Sequence, residues 1–213
     1  MTSAPDRGGR EPGFERLREA AIDLLTGWIA PDADQEALRR AYLEHLAAHP
    51  GACAKAGPPA HLTASALVVD AAGSATALVL HGKARQWFQP GGHLEAQDAD
   101  LAAGALREAR EETGLSRLRI DPVPLRLDRH GLGTAFGRCR EHLDVQFLVV
   151  ADGAEGVADG AAAGAASEEI TGSAESLDVR WWPLEEVPDA HSVGHLARAA
   201  RARLTDGAQR EAP

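Results

Sequence analysis

Two segments near the N-terminus carry apolar residues at spacings of three and four, which is the spacing of one face of an α-helix. The first predicted helix runs from Phe14 to Trp28, and the second follows the interruption at Pro31 and ends near Ala48, with Asp34 as its candidate N-cap. The apolar positions of the first helix are Leu17, Ala20, Ala21, Leu24, Leu25 and Trp28. We expect these helices to pack on a core, to pair with a second subunit or to shape a substrate pocket.

Further along, the pattern changes to short apolar runs that are typical of β-strands. Runs at Leu62–Asp70 and Ala75–His81, joined by a turn at Gly73, predict a hairpin. The segment Pro122–Asp128 predicts another strand, and His142–Val150, which alternates and then becomes fully apolar, predicts a central strand. After these strands, an Arg/Ala-rich segment at 195–204 predicts a closing helix.

Between the hairpin and the later strands, the stretch from Gln89 to Leu115 predicts a further helix. Residues 98–100 offer an N-cap, and Gly114 is a C′ glycine that ends the helix. Its apolar stripe contains small side chains that allow close packing on a sheet: Leu101, Ala102, Ala105, Leu106 and Ala109.

The polar face of that helix carries the chain's clearest chemical signal. Glu108, Glu111 and Glu112 stand at i, i+3 and i+4, so their side chains leave the helix on one face. Like charges side by side repel each other, which stabilises a helix poorly. A hard divalent cation reverses this effect, because Mg²⁺ and Mn²⁺ prefer carboxylate oxygens. The glycines of Pro90-Gly91-Gly92 let backbone carbonyls approach such an ion.

This segment resembles the Nudix box, G-x5-E-x7-R-E-U-x-E-E-x-G-U, in which U is an aliphatic residue. Its second half, Arg107–Leu115, fits position by position. The first half departs from the pattern, because one extra residue lies between Gly92 and Arg107, and Asp98 or Asp100 replaces the first glutamate. In the family that carboxylate holds the arginine, so the departure concerns how Arg107 is braced.

The resemblance implies a single α/β domain of the Nudix fold at about residues 60–205, with a mixed β-sheet sandwiched between helices. The two N-terminal helices at 13–50 form an α-helical extension that precedes it. Composition further predicts a disordered leader at 1–12, a flexible Ala/Gly-rich insertion at 151–172 and a disordered tail at 206–213.

The resemblance also implies an enzyme, a hydrolase of phosphoric anhydride bonds that uses Mg²⁺ or Mn²⁺. Its expected substrate is a nucleoside diphosphate linked to another moiety. The implied metal ligands are Gly91, through its carbonyl, Glu108, Glu111 and Glu112.

The implied catalytic residues are Glu108, Glu112, Arg107 and Glu175. Family members often supply a further carboxylate from outside the helix, for which Glu175 is the first candidate and Glu169 the second. The general base is either Glu108 or Glu175, and Arg107 orients the helix face.

Four residues near these elements are candidates for substrate binding. Trp87 could stack on a base or serve as a core aromatic, and Arg85 could touch phosphates or be a solvated loop charge. His93 directly follows the glycine pair. His142 shares a strand face with Asp144, and this pair could ligate a metal, bind substrate or be hydrogen-bonded structure.

Net charge and cysteine content limit the kinds of binding partner and the cellular compartment that we expect. A net charge of −10 argues against binding to nucleic acid or anionic membranes, since both need a basic face. Two cysteines cannot build a disulfide framework, and we find neither a signal peptide nor a membrane-spanning apolar run. We therefore expect a cytoplasmic protein whose partner is a nucleotide-type small molecule, and the N-terminal helices leave a homodimer open.

Two alternative functions stay open on the sequence. One is a Nudix-shaped regulatory domain that binds a nucleotide without cleaving it, although such proteins usually lose a box glutamate. The other is an enzyme like isopentenyl-diphosphate isomerase, which needs a site cysteine that neither Cys53 nor Cys139 matches in context. The box does not identify the moiety attached to the nucleotide.

Overall fold

A computed structural model describes residues 11–133, 137–152, 169–173, 176–188 and 193–211 of the chain. Its helices and strands, in chain order, are α1 (Pro12–Gly27), α2 (Ala33–Ala48), β1 (Ala60–Asp70), β2 (Ala75–His81), β3 (Trp87–Phe88), β4 (Gly91–His93), α3 (Leu101–Thr113), β5 (Leu118–Gly131), β6 (Glu141–Ala151), β7 (Ser176–Pro183) and α4 (Val193–Glu211).

The strands form a seven-stranded sheet with the order β3-β2-β1-β6-β5, in which β4 also pairs with β1 and β7 with β2. The predicted hairpin is present: β1 and β2 are antiparallel, with Val68 opposite Ala77. Strand β7 runs antiparallel to β2 from the pair Ala75 and Pro183 onward. The predicted α/β class with N-terminal helices is therefore confirmed.

Some element limits differ from the predicted ones for local reasons. The side chain of Asp32, and not that of Asp34, caps α2 by accepting a hydrogen bond from the backbone N–H of Gln35 at 2.8 Å. Strand β5 is longer than predicted and continues through Pro122 and Pro124, which is possible because β5 lies at the end of the sheet order and an edge strand tolerates proline.

Helix α4 is also longer than the predicted helix, and it includes residues 206–211, which we predicted as disordered tail. Arginine, alanine and glutamine are strong helix formers, so the helix continues past the polar residues near its end. The rest of that tail, residues 1–10 of the predicted leader and 153–168 of the predicted insertion lie outside the described residues.

The chain divides into two compact units, and the first comprises residues 1–64, 92–104 and 127–145. In this unit the buried side chain of Gln35 donates to the carbonyl of Leu127 at 3.1 Å and accepts from its N–H at 2.7 Å. The hydroxyl of Tyr42 donates to the carbonyl of Asp128 at 2.6 Å. These bonds fasten α2 to β5, which supports the packing role considered for the N-terminal helices.

The second unit comprises residues 65–91, 105–126 and 146–213. Its core joins residues from strands β1, β2, β5 and β6 and from the turn after β7 to α4: Leu67, Val69, Leu78, Leu125, Leu148, Leu184, Val193, Leu196, Ala197 and Ala200. Trp87 and Trp182 pack against this core. Helix α4 contributes its apolar residues to the same core, so this side of the helix packs on the sheet. Among the described residues, no helix is long and apolar enough to cross a membrane.

Candidate functional site

Local signals set both ends of α3, the helix that carries the glutamates. The carboxylate of Asp100 accepts a hydrogen bond from the N–H of Ala103 at 2.8 Å, so Asp100 is the N-terminal cap. Gly114 ends the helix with φ +71°, and its N–H donates to the carbonyl of Arg110 at 2.9 Å. Asp98 is instead buried, and its carboxylate accepts from the N–H of Glu95 at 2.8 Å.

The glycine turn and the last glutamate of the helix are in direct contact. An oxygen of the Glu112 carboxylate accepts a hydrogen bond from the N–H of Gly91 at 2.9 Å. The carbonyl of Pro90 accepts from the N–H of Ala66 at 2.9 Å, which fixes the turn to β1. The fold thus brings the glycine turn against the acidic face of α3.

Arg107 links the other two glutamates. Its guanidinium donates to Glu108 at 3.0 Å and to Glu111 at 3.2 Å. The side chains of Arg107 and Glu108 are 19% and 15% exposed, whereas that of Glu111 is 56% exposed. The arginine therefore offsets part of the repulsion along this face, and Glu111 is the glutamate most open to solvent.

The end of α3 is covered by the segment 169–173. The N–H of Thr171 donates to the carbonyl of Thr113 at 2.8 Å, and a Cβ added at Gly114 would lie 2.0 Å from the hydroxyl oxygen of Thr171. Only glycine fits this contact and this φ. Of the two predicted outside carboxylates, Glu169 belongs to this segment and is exposed, while Glu175 lies outside the described residues.

Trp87 and Arg85 lie in the connection before the glycine turn. Trp87 is half-buried, stacks edge-on against Trp182 with ring centroids 5.4 Å apart and has the guanidinium of Arg180 5.5 Å from its ring centre. This is the setting of a core-rim aromatic. Arg85 is exposed with φ 54°, a left-handed conformation that is uncommon for a residue other than glycine.

His93 and His142 lie close together in a cluster of possible metal ligands that the sequence analysis does not predict. Each of His61, His93, Cys139 and His142 offers one ligand atom, and these atoms all lie within 4.8 Å of one another. His61 is not named in the sequence analysis, and Cys139 is considered there only as a possible isomerase cysteine. The four positions are far apart in sequence, so no local motif joins them. A histidine at the start of two strands is a weak signal that could have been noted.

Burial governs the protonation of this histidine–cysteine cluster. Desolvation, followed by nearby positive groups, lowers the pKa of His93 to about 4 and that of His142 to about 3. Burial also lowers the pKa of His61. The imidazoles are therefore neutral near pH 7. By contrast, a hydrogen bond to Asp128 raises the pKa of His130, whose ring lies 5.4 Å from that of His142.

Asp144, the partner of His142 in the predicted pair, has a different environment. It is buried and accepts a hydrogen bond from the hydroxyl of Thr63 at 2.9 Å. Its backbone carbonyl lies 3.3 Å from the Tyr42 hydroxyl. Asp144 thus takes part in hydrogen-bonded structure, which is one of the options considered for the pair.

Comparison with known proteins adds a family and a fold. The model of the NUDIX domain matches residues 59–201. No protein in the curated set matches the chain at a significant level.

Among solved structures, the Ap4A hydrolase of C. elegans in a binary complex has a TM-score of 0.51 at 18% identity, over 68% of this chain and 98% of that one. The MutT protein of Methanosarcina mazei Go1 has a TM-score of 0.45 at 23% identity, over 68% and 96% of the two chains. The NUDIX domain of Shewanella oneidensis NrtR, complexed with ADP ribose, has a TM-score of 0.43 at 22% identity, over 67% and 87%. The likeness to the C. elegans structure shows a shared fold.

Since the family model spans most of the chain and includes the helix with its three glutamates, the chain belongs to the NUDIX domain family and is a hydrolase of the Nudix pyrophosphatase type.

Proposed function

We propose that the protein hydrolyses the diphosphate bond of a nucleoside diphosphate linked to another moiety, with Mg²⁺ or Mn²⁺ as cofactor. One observation supports the proposal most: the carboxylate of Glu112 accepts a hydrogen bond from the N–H of Gly91, as expected if the glycine turn and the acidic face of α3 belong to one site. If the glutamates of this face served only for solvation, we would expect their carboxylates to point to water and not to contact that turn.

The residues at this site fit a hard divalent cation. Glu108, Glu111 and Glu112 present carboxylate oxygens from consecutive turns of one helix, and the Gly91 carbonyl is a further oxygen donor. The one positive charge of Arg107 offsets only part of the charge of three carboxylates, and a bound cation would neutralise more of it. When bound, Mg²⁺ or Mn²⁺ neutralises phosphate oxygens and lowers the pKa of water.

The remaining chemistry falls to the chain's own side chains. Water attacks a phosphorus atom of the diphosphate, the bond from that phosphorus to the bridging oxygen breaks, and the two products are both phosphorylated. A carboxylate, Glu108 or Glu175, accepts the proton of the attacking water. Arg107 keeps the carboxylates of Glu108 and Glu111 in place through its two hydrogen bonds. Glu169 is the second candidate for the outside carboxylate.

Two candidate substrate contacts lie before the glycine turn in the chain. Arg85 is exposed near the glycine turn in sequence and could contact phosphate, and Trp87 could contact a base only through the part of its ring that stays exposed. A net charge of −10 suits a protein that handles anionic substrates through metal ions. The cytoplasm and a homodimer stay predictions from the sequence.

The test is a phosphate-release screen of the full chain over a panel of nucleotide diphosphates with Mg²⁺ and with Mn²⁺. Glu111→Gln and Glu112→Gln should each lower turnover by about 100- to 1,000-fold, the usual cost of removing one electrostatic contact to the reacting group. The matched control is Glu44→Gln, which removes an exposed carboxylate on α2 and should keep the wild-type rate.

Wild-type rates in either glutamine variant of the helix would contradict the ligand assignment. Binding of a nucleotide without turnover across the panel would favour the regulatory alternative. Circular dichroism of each variant verifies that the fold is intact.

A further inference from the structure

The histidine–cysteine cluster draws its residues from three parts of the first unit. His61 lies in β1, His93 ends β4, and Cys139 and His142 stand just before and at the start of β6. The Nε2 atoms of His61 and His93 are 3.1 Å apart, and the sulfur of Cys139 is 3.8 Å from Nε2 of His93. His61 and Cys139 are 1% and 7% exposed, whereas His93 and His142 are half-buried, so the group is only partly open to solvent.

The second nitrogen of His61 fixes its protonation. Nδ1 lies 3.0 Å from the carbonyl oxygen of Pro58, and because a carbonyl can only accept, Nδ1 carries the proton. In a neutral imidazole the lone pair is then on Nε2, which points at His93. A ligating histidine in metalloproteins has this arrangement, with its outer N–H donated to a carbonyl.

Hydrogen bonds alone leave the cluster unsatisfied. If Nε2 of His93 donates to His61, it cannot also accept the S–H of Cys139. Nε2 of His142 is buried and has no hydrogen-bond partner among the residues that the structure describes. Leaving a buried polar atom unpaired costs free energy, so an electrophile among the four converging ligand atoms would stabilise Nε2 of His142.

We infer that His61, His93, Cys139 and His142 form a closed zinc site of the structural type, sharing no ligand with the glutamates of α3. Imidazole nitrogen and thiolate sulfur are the ligands that Zn²⁺ prefers, and a site with four protein ligands leaves no open position for chemistry. Tetrahedral zinc bonds of about 2.0 to 2.3 Å place ligand atoms roughly 3.3 to 3.6 Å apart. The pairs at 3.1 and 3.8 Å are close to this spacing, and pairs as far apart as 4.8 Å would contract by about 1 Å on binding the ion.

The ion would tie the beginnings of β1 and β6 to the end of β4. Binding converts the thiol of Cys139 to a thiolate with loss of one proton, while the imidazoles are already neutral. The positive charge of exposed Lys55, which lowers the pKa of His93, would be balanced by the negative charge of the thiolate. On this assignment His93 and His142 hold the metal and do not contact substrate.

Metal analysis of the full chain tests the inference directly. Protein freed of metal and titrated with Zn²⁺ should bind one tightly held ion per chain by elemental analysis. Titrated with Co²⁺, it should show the visible bands of tetrahedral cobalt and a near-ultraviolet thiolate-to-cobalt band. Zn²⁺ at 100 times its dissociation constant should raise the Tm by about 5 to 10 °C.

Matched variants separate this site from other thiols and acids. Cys139→Ser should abolish the thiolate-to-cobalt band, whereas Cys53→Ser, which removes the other buried cysteine, should keep it. Glu112→Gln should keep both the zinc stoichiometry and the band. Wild-type protein that shows no thiolate-to-cobalt band, or a band that persists in Cys139→Ser, would overturn the inference. The wild-type spectrum decides the matter even if Cys139→Ser does not fold.

Discussion

The two clusters of ligand-type side chains differ in how the chain builds them. The acidic face of α3 consists of Glu108, Glu111 and Glu112 on one helix, so local geometry alone brings them together. The histidine–cysteine cluster joins β1, β4 and the start of β6, so it exists only once those segments have folded. The first can be seen in the sequence as a motif, and the second cannot.

The two clusters also differ in chemistry. Carboxylate oxygens on a partly exposed face suit Mg²⁺ or Mn²⁺, which exchange and keep bound water. Buried nitrogen and sulfur atoms suit Zn²⁺ held permanently. On the two proposals made above, the chain would hold one type of metal for catalysis and another for structure, on different ligand atoms.

The largest expected effect comes from changing one ligand in each cluster and measuring both turnover and zinc content in each variant. Glu112→Gln should lower turnover by about 100- to 1,000-fold and leave one zinc per chain, because it changes only the oxygen ligands. Cys139→Ser should lose the zinc. Steady-state kinetics and elemental analysis on the same preparations measure both quantities. If Glu112→Gln lost zinc as well, the two clusters would not be independent.

A smaller effect is expected from the end of the glutamate helix. Gly114→Ala forces a side chain into φ +71° and onto Thr171, and we expect it to lower the free energy of unfolding by about 1 to 3 kcal/mol. Urea denaturation measures the loss. The matched control, Gly133→Ala, adds a Cβ that meets no atom within 4 Å among the described residues beyond its chain neighbours, and it should be close to neutral.

Acid should act on the histidine–cysteine cluster in the metal-free protein. Burial lowers the pKa of His93 to about 4 and that of His142 to about 3, below the ordinary 6.5 of the unfolded chain. The unfolded state therefore binds more protons in this window, and the free energy of unfolding falls as the pH drops from about 6.5 towards 3.

Urea denaturation of chelator-treated protein at several pH values measures this fall. His130, whose pKa is raised, contributes with the opposite sign, and its share is lost as the pH rises. Below pH 6.5 that share is constant, and the positive charge of His130 is one of the causes that lower the pKa of His142. His130→Asn should therefore make the fall between pH 6.5 and 3 shallower. Stability that stayed constant between pH 6.5 and 4 would show that the cluster is not buried as described.

Sequence reasoning predicted the parts of the molecule that local signals determine. The hairpin at β1 and β2 and the α/β class are confirmed, since strand runs and a turn glycine are contiguous. The prediction of Asp34 as the cap of α2 is wrong, because Asp32 has the same side chain and only the backbone conformation shows which of the two is the cap.

Long-range assembly was beyond sequence reasoning. Nothing near His61 or Cys139 in the chain indicates that they meet His93 and His142, because strand pairing decides it. The double hydrogen bond between Gln35 and Leu127, which makes the N-terminal helices part of a folded unit, is equally invisible in a pattern of apolar residues.

The most direct test of the central claim, that the acidic face of α3 grips divalent cations, is a Mn²⁺ titration followed by electron paramagnetic resonance. Binding removes the signal of free Mn²⁺. Wild-type protein and Cys139→Ser should remove this signal equally, and Glu112→Gln should bind Mn²⁺ at least about tenfold more weakly, a difference of about 1.4 kcal/mol. Equal binding by wild type and Glu112→Gln would contradict the account.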